Sequence, residues 1–206
     1  IRTNAPKYIL RSHIKFGEHI NSVITKTIET FTGNHSLQYI YTAVTPGINF
    51  TAVGLVDGQQ FMYYDSNGMM TGWITTNASD NWKMEKELVK EEHPKLQDDL
   101  PKVMKNNNQT EGVHTLQRIY GCEHDDDGTT RGYDRYIYDG EDFISLDLKT
   151  GTWTAANDKA ENFINEWDPT GDKAKHWKDF LEKDCIDRLQ KILYYSKETL
   201  ERKGKV

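Results

Sequence analysis

Cysteine is nearly absent from this chain of 206 residues: Cys122 and Cys185 are its whole thiol inventory, which excludes a disulfide-dense scaffold. Two thiols alone fit a pair of buried free cysteines as well as one bridge. No run approaches the roughly 18 to 20 apolar residues that a membrane-crossing helix needs, so the chain as given is expected to be soluble. Residues 1–33 contain no continuous apolar stretch of the kind a secretion signal carries. Positive charge is not in excess either. The formal net charge is −6, and no Lys/Arg stripe alternates with aromatics, which argues against nucleic acid as a partner.

Signatures of catalysis are also missing. There is no Gly-rich phosphate loop, no zinc-binding HExxH and no nucleophile elbow, so no catalytic residue, metal or cofactor is expected. The acidic run Glu123, His124, Asp125, Asp126, Asp127 lacks the alternate-residue spacing of a calcium loop and ends in Gly128, which reads as a hairpin turn. His93, His114 and His176 are scattered and read as surface or core histidines rather than bases.

What is present is an ordinary globular composition with an aromatic accent that hints at a binding surface. The length suits one large domain or two modules of about 100 residues each. Asn34, Asn49, Asn77 and Asn108 each begin an Asn-x-Ser/Thr triplet, and four such triplets favour a secreted chain. A secreted setting in turn favours a bridge between Cys122 and Cys185.

Residues 1–33 have mixed polarity, with Ile20, Val23, Ile24 and Ile28 at helical spacing, and carry no motif; they stand as an unassigned N-terminal extension. From His35 the runs SLQYIYTAVT, NFTAVGLVD and QQFMYYD are strand-like, and Asp57-Gly58 between the last two is a strong hairpin signal. Residues 35–72 thus predict an antiparallel sheet. The following charged stretch, WKMEKELVKEEHPKLQDDLPKVMK, places Met84, Leu88, Leu96, Leu100 and Val103 at helical spacing, while Pro94 and Pro101 predict a kink or break. A polar link from Asn106 to Gly112 ends it. The pattern then repeats: VHTLQRIYGCE, RGYDRYIYD and EDFISLDL as strands, with Asp139-Gly140 as a turn, and residues 153–202 as helix. Strands then helix, twice, predict two α+β halves, 34–112 and 113–206, whose sheets join edge to edge.

Several strings are similar to the major histocompatibility complex class I heavy chain family: HSLQYIYTAV, AVGLVDGQQF, NQTEGVHTLQRIYGC, GYDRYIYDGEDFISLDL, WTAAND and KETLERK. They span residues 35–206, and the wording resembles bony-fish members. The resemblance implies eight antiparallel strands carrying two long helices, with a ligand groove between the helices. It implies a Cys122–Cys185 disulfide, which would contribute roughly 4 kcal/mol by the chain-entropy relation. It also implies glycosylation at Asn108. Asn34 and Asn77 read as further surface sites, while Asn49 is less suited because Phe50 begins a strand.

Alternation along strands puts Leu37, Tyr39 and Tyr41 on one face, and likewise Arg118 with Tyr120 and Asp134 with Tyr136. By resemblance this is the groove floor, with Phe50 beside it, and Arg118 can pair with Asp134 there. Family members that present short peptides grip both peptide ends with tyrosines plus a Thr, a Lys and a Trp. Tyr39 and Trp167 match that set. Asn81 and Asn106 stand for tyrosines, Phe163 for Thr, Glu166 for Lys, and Phe180 and Ile192 for tyrosines. Each charge-assisted bond lost is worth on the order of 1.5–3 kcal/mol, so end-anchored peptide binding is expected to fail.

The resemblance therefore implies an atypical display platform, working without catalysis, that holds an apolar or unconventional ligand for a T-cell or natural-killer-type receptor. The alternatives are a ligand-free platform with a closed groove that binds a protein, and ordinary peptide presentation. Exposed helix tops carrying Lys86, Glu87, Lys90, Glu91 and Asp98 fit receptor docking. The family further implies β2-microglobulin beneath the sheet, over Val53 and Leu55, and a place on the extracellular face of the plasma membrane reached through the secretory pathway.

Overall fold

The computed structural model describes residues 34–203 apart from 48, 69 and 73–79; the expectations for residues 1–33 and for Asn77 lie outside the described residues. Eight strands form one antiparallel sheet: β1 (His35–Val44), β2 (Asn49–Val56), β3 (Gln59–Asp65), β4 (Met70–Gly72), β5 (Thr115–His124), β6 (Thr130–Tyr138), β7 (Glu141–Asp147) and β8 (Thr152–Ala155). Their order is β4-β3-β2-β1-β5-β6-β7-β8, so each half is a meander and β1 against β5 is the seam. Along that seam Tyr39 pairs with Tyr120 and Tyr41 with Arg118. A Cβ on Gly121 would lie 2.1 Å from the Leu37 carbonyl oxygen, so the seam closes to this spacing only with glycine there.

The turn chemistry acts as the sequence predicts. Asp57 and Gly58 have φ of 49° and 74°, and Asp139 and Gly140 have 48° and 87°, the paired positive angles of a two-residue hairpin whose twist matches its strands. Among the described residues each half also carries one bulge. Leu55 pairs with Gln60 while Gly54 pairs with Met62, and Ile137 pairs with Asp142 while Tyr136 pairs with Ile144. Phe61 and Phe143 are therefore extra residues, and both are buried.

Helices lie over one face of the sheet. In β1 the residues Leu37, Tyr39, Tyr41 and Ala43 are fully buried beneath them, while Gln38, Ile40 and Thr42 on the other face are half-buried. The first half contributes α1 (Asp80–Asn106), which is not broken at Pro94 or Pro101. Both prolines sit on its exposed side, where solvent satisfies the carbonyls that lose an intrahelical donor. The second half, predicted as one helix from 153 to 202, begins instead with β8 and then divides. It forms α2 (Asp158–Trp167), α3 (Asp172–Asp179), a wide π-type turn (Phe180–Asp184) and α4 (Cys185–Lys203).

Local chemistry explains these breaks. Asn157 caps α2 by accepting from the Lys159 and Ala160 amides, and Pro169 and Gly171, the latter at φ 75°, stop the run. Buried Asp168 restarts it, accepting from the Lys173 and Ala174 amides and from the Trp153 indole. Cys122 on β5 is bonded to Cys185 at the head of α4, tying helix to sheet.

Candidate ligand groove

Of the apolar stripe predicted for α1, Leu96, Leu100 and Val103 are buried, but Met84 and Leu88 are only half-buried, and a line of buried residues runs Glu85, Val89, Glu92, Leu96, Asp99, Val103. Three acids recur every seventh residue, the spacing that returns a helix to the same face. Each is nearly solvent-free, at 2%, 5% and 4% exposure, and each meets a donor from the second half.

Arg188 on α4 donates to Glu85 at 3.0 Å, and the Tyr39 hydroxyl donates to the same carboxylate at 2.7 Å. Arg118 on β5 reaches up to Glu92 at 2.8 Å, which Lys95 also contacts. The Trp167 indole on α2 donates to Asp99 at 2.9 Å, with Lys102 completing that carboxylate. One link thus runs from helix to helix at each end, and one from helix to floor between them.

The expected pairing of Arg118 with Asp134 is present and bidentate, Nε to Oδ1 at 3.0 Å and the second nitrogen to Oδ2. The guanidinium also lies 3.5 Å from the Trp177 ring centroid and over the Tyr120 and Tyr136 rings. Burial opposes the charge on Arg118, but Asp134 overrides it and raises the pKa above its ordinary value. Burial pushes Glu85, Asp99 and Asp134 above the usual carboxylate range, against the pull of their cationic partners. Tyr39, Tyr41, Tyr120 and Tyr136 are raised by the same desolvation.

Most of the predicted groove residues meet in two linked aromatic groups. Tyr39 stacks on Tyr120 with centroids 5.0 Å apart, the Tyr120 hydroxyl donates to Tyr41 at 2.8 Å, and Phe50 packs edge-on against Tyr41. Trp177 and Phe180 pack against Tyr120 from above. The other group joins Tyr136, Trp153, Trp167 and Phe163. Ile192 is buried one turn beyond Arg188 on α4. Glu166 is exposed on α2, and Asn106 is half-buried at the end of α1. The Asn81 side chain lies outside the described residues.

Sequence reasoning missed Glu85, Glu92, Asp99, Trp177 and Arg188. The seven-residue repeat of the acids was the available signal, hidden in a stretch where nearly every other position is charged.

Residues considered for other chemistry serve local structure. His93 stacks on Phe50 at 4.2 Å and bonds the Tyr64 hydroxyl, His114 bonds Asp139, and His176 is exposed beside Trp177. Arg131 pairs with Glu123 and Asp125 at the acidic turn, where Asp127 accepts from the Thr129 amide.

A single sheet seamed at β1 and β5, roofed by helices that face each other across a floor of tyrosines, is the architecture of an antigen-recognition platform. The family model described as Class I Histocompatibility antigen, domains alpha 1 and 2, matches residues 33–200. Two rabbit (Oryctolagus cuniculus) proteins, RLA class I histocompatibility antigen alpha chains 11/11 and 19-1, are each 33% identical to this chain over 186 residues. The alignments cover 84% of this chain and 51% of each relative, so the chain spans about half their length. The chain belongs to the class I histocompatibility antigen family.

Proposed function

We propose that this chain is an atypical class I platform whose groove is filled by its own side chains and whose display surface is read by a protein receptor. The observation that carries this reading is the set of three links from Glu85, Glu92 and Asp99 to Arg188, Arg118 and Trp167. A peptide or lipid seated between the helices would have to displace Arg188 from Glu85 and Trp167 from Asp99. That would leave Glu85 with the Tyr39 hydroxyl alone and Asp99 with Lys102 alone, a loss on the order of 1–3 kcal/mol for each buried hydrogen bond to a charged group before any new contact forms. The loss of most of the peptide-end grip points the same way, since Phe163, Phe180 and Ile192 offer no hydroxyl and Glu166 carries the wrong sign for a carboxylate.

The task is display rather than catalysis, at the cell surface after passage through the secretory pathway. Among the described residues no helix is long and apolar enough to cross a membrane. A β2-microglobulin-like partner fits the lower sheet face, where Ile40, Val53, Leu55 and Ile119 are half-buried. Glycosylation at Asn108 fits its exposed position with φ of 58° after α1. A second reading, an apolar ligand between the helices, is favoured by the apolar character of Phe163, Phe180 and Ile192.

Mass spectrometry of material extracted from protein purified from animal cells separates these readings. The expected result is no small molecule or peptide at stoichiometric amounts. A lipid at one per chain would establish the second reading, and a ladder of short peptides would sink both.

A further inference from the structure

Three of the four Asn-x-Ser/Thr triplets begin on described residues, and Asn34, Asn49 and Asn108 are all exposed. Asn34 immediately precedes β1. Asn49 is the first residue of β2 and is exposed even though the next residue, Phe50, is buried. The strand register places them at opposite ends of the sheet. His35 pairs with His124 at one end of β1, and Val44 at the other end pairs with both Asn49 and Thr115.

Asn108 belongs to the Asn49 end. Its neighbour Gln109 accepts from the Tyr138 hydroxyl, and Asp139 accepts from the Thr115 amide. No such triplet begins within α1, α2, α3 or α4. Among the described residues, the exposed acceptors therefore flank the platform and leave the outer faces of its helices free.

We propose that Asn34 and Asn49 carry N-linked oligosaccharides which, with one at Asn108, fence both ends of the sheet and confine protein contact to the helix surface and the lower sheet face. This rests on the secretory reading given above. In the reaction, the side-chain amide nitrogen attacks the anomeric carbon of a lipid-linked oligosaccharide diphosphate. The new N–C bond replaces the C–O bond to diphosphate, the amide gives up one proton, and the lipid diphosphate departs.

Ser36 and Thr51 supply the hydroxyl two residues on that the transfer requires. Transfer acts on the unfolded chain, so the burial of Phe50 in the finished fold does not oppose it. The fold has only to leave the branch in solvent, which both asparagines do. Asn49 shares a strand face with Thr51, Val53 and Leu55, so its branch leaves at the margin of the lower face, beyond the Val53–Leu55 patch.

The test is expression of the full chain in secreting animal cells, enzymatic deglycosylation in heavy-oxygen water, and peptide mass spectrometry of the labelled aspartates. Asn34 and Asn49 are each expected to be converted in most molecules, and N34Q and N49Q are each expected to remove one step of gel mobility while Asn108 stays modified. An unmodified Asn34 or Asn49 beside a modified Asn108 overturns the proposal and leaves the secretory reading standing. All three unmodified would overturn both.

Discussion

Phe61 and Phe143 occupy equivalent places in the two halves of the platform. Each is the third residue of its strand, each is the extra residue of a bulge, and each is followed by a second buried residue, Met62 or Ile144. A regular strand sends consecutive side chains to opposite faces. The bulge suspends that rule once, so two neighbours enter the core together. Phe61 then packs edge-on against Tyr39, and Phe143 packs at a tilt of 53° against Phe163.

Truncating either phenylalanine should be costly and similar in the two halves. Phe61→Ala and Phe143→Ala are each expected to lose about 3–5 kcal/mol, measured by denaturant unfolding. A loss below about 1 kcal/mol at either site, typical of a surface position, would mean that the bulge does not anchor the core.

The Glu85–Arg188 link should behave as a coupled pair. Arg188→Met leaves a buried carboxylate without its cation and is expected to cost about 3–5 kcal/mol, whereas adding Glu85→Gln, which keeps an acceptor for the Tyr39 hydroxyl, should recover most of that loss. A double-mutant cycle on unfolding free energy reads this out. Additive single and double variants would show that the two residues do not interact.

The Trp167 indole holds one side of Asp99, with Lys102 holding the other. Trp167→Phe keeps one aromatic ring and removes the indole donor. It is expected to cost about 1–2 kcal/mol and to speed amide hydrogen exchange in α2 and in the matching turn of α1. Unchanged exchange in both helices would count against a link across the groove.

His93 sets a dependence on pH. Its pKa is lowered by burial from the ordinary value of 6.5, so the unfolded chain takes up the proton first. Its contribution is complete above about pH 6.5 and is lost as pH falls toward the lower folded value. Glu85, with a raised pKa, acts in the opposite sense: its contribution is present below the unfolded carboxylate value and is lost as pH rises through the folded one. Comparing urea midpoints at about pH 7.5 and 5.5, His93→Phe is expected to lose less stability on acidification than the parent. An equal or larger loss would reject this role for His93.

Removing the bridge with Cys122→Ala and Cys185→Ala should cost roughly 4 kcal/mol, because β5 and α4 would then be joined by packing alone. Thermal unfolding with and without reductant checks it, and a parent protein indifferent to reductant would contradict it.

Much of the fold was legible because turn residues act locally. Asp57-Gly58 and Asp139-Gly140 announce their hairpins through backbone angles that few other pairs adopt. The alternation Leu37, Tyr39, Tyr41 announced the floor. Pro94 and Pro101 misled because their effect depends on which side of α1 they face, which no local pattern reports. The division of the second-half helix was signalled by Pro169 and Gly171 but was hidden by the helical spacing on either side. Glu85, Glu92 and Asp99 read as solvated charges, since their burial depends on Arg188, Arg118 and Trp167, which lie far away in sequence.

The seven-residue interval between those acids also fixes where α1 can sit along its own axis. At 1.5 Å per residue the three carboxylates span roughly 21 Å, and their donors stand on α4, β5 and α2. A slide of one helical turn would bring Val89 toward Arg188 and Leu96 toward Arg118, leaving Arg188 facing hydrocarbon and Arg118 with Asp134 as its sole carboxylate. The spacing works as a toothed rack whose three teeth all mesh in one position, so α1 is held in fixed register with the opposite wall.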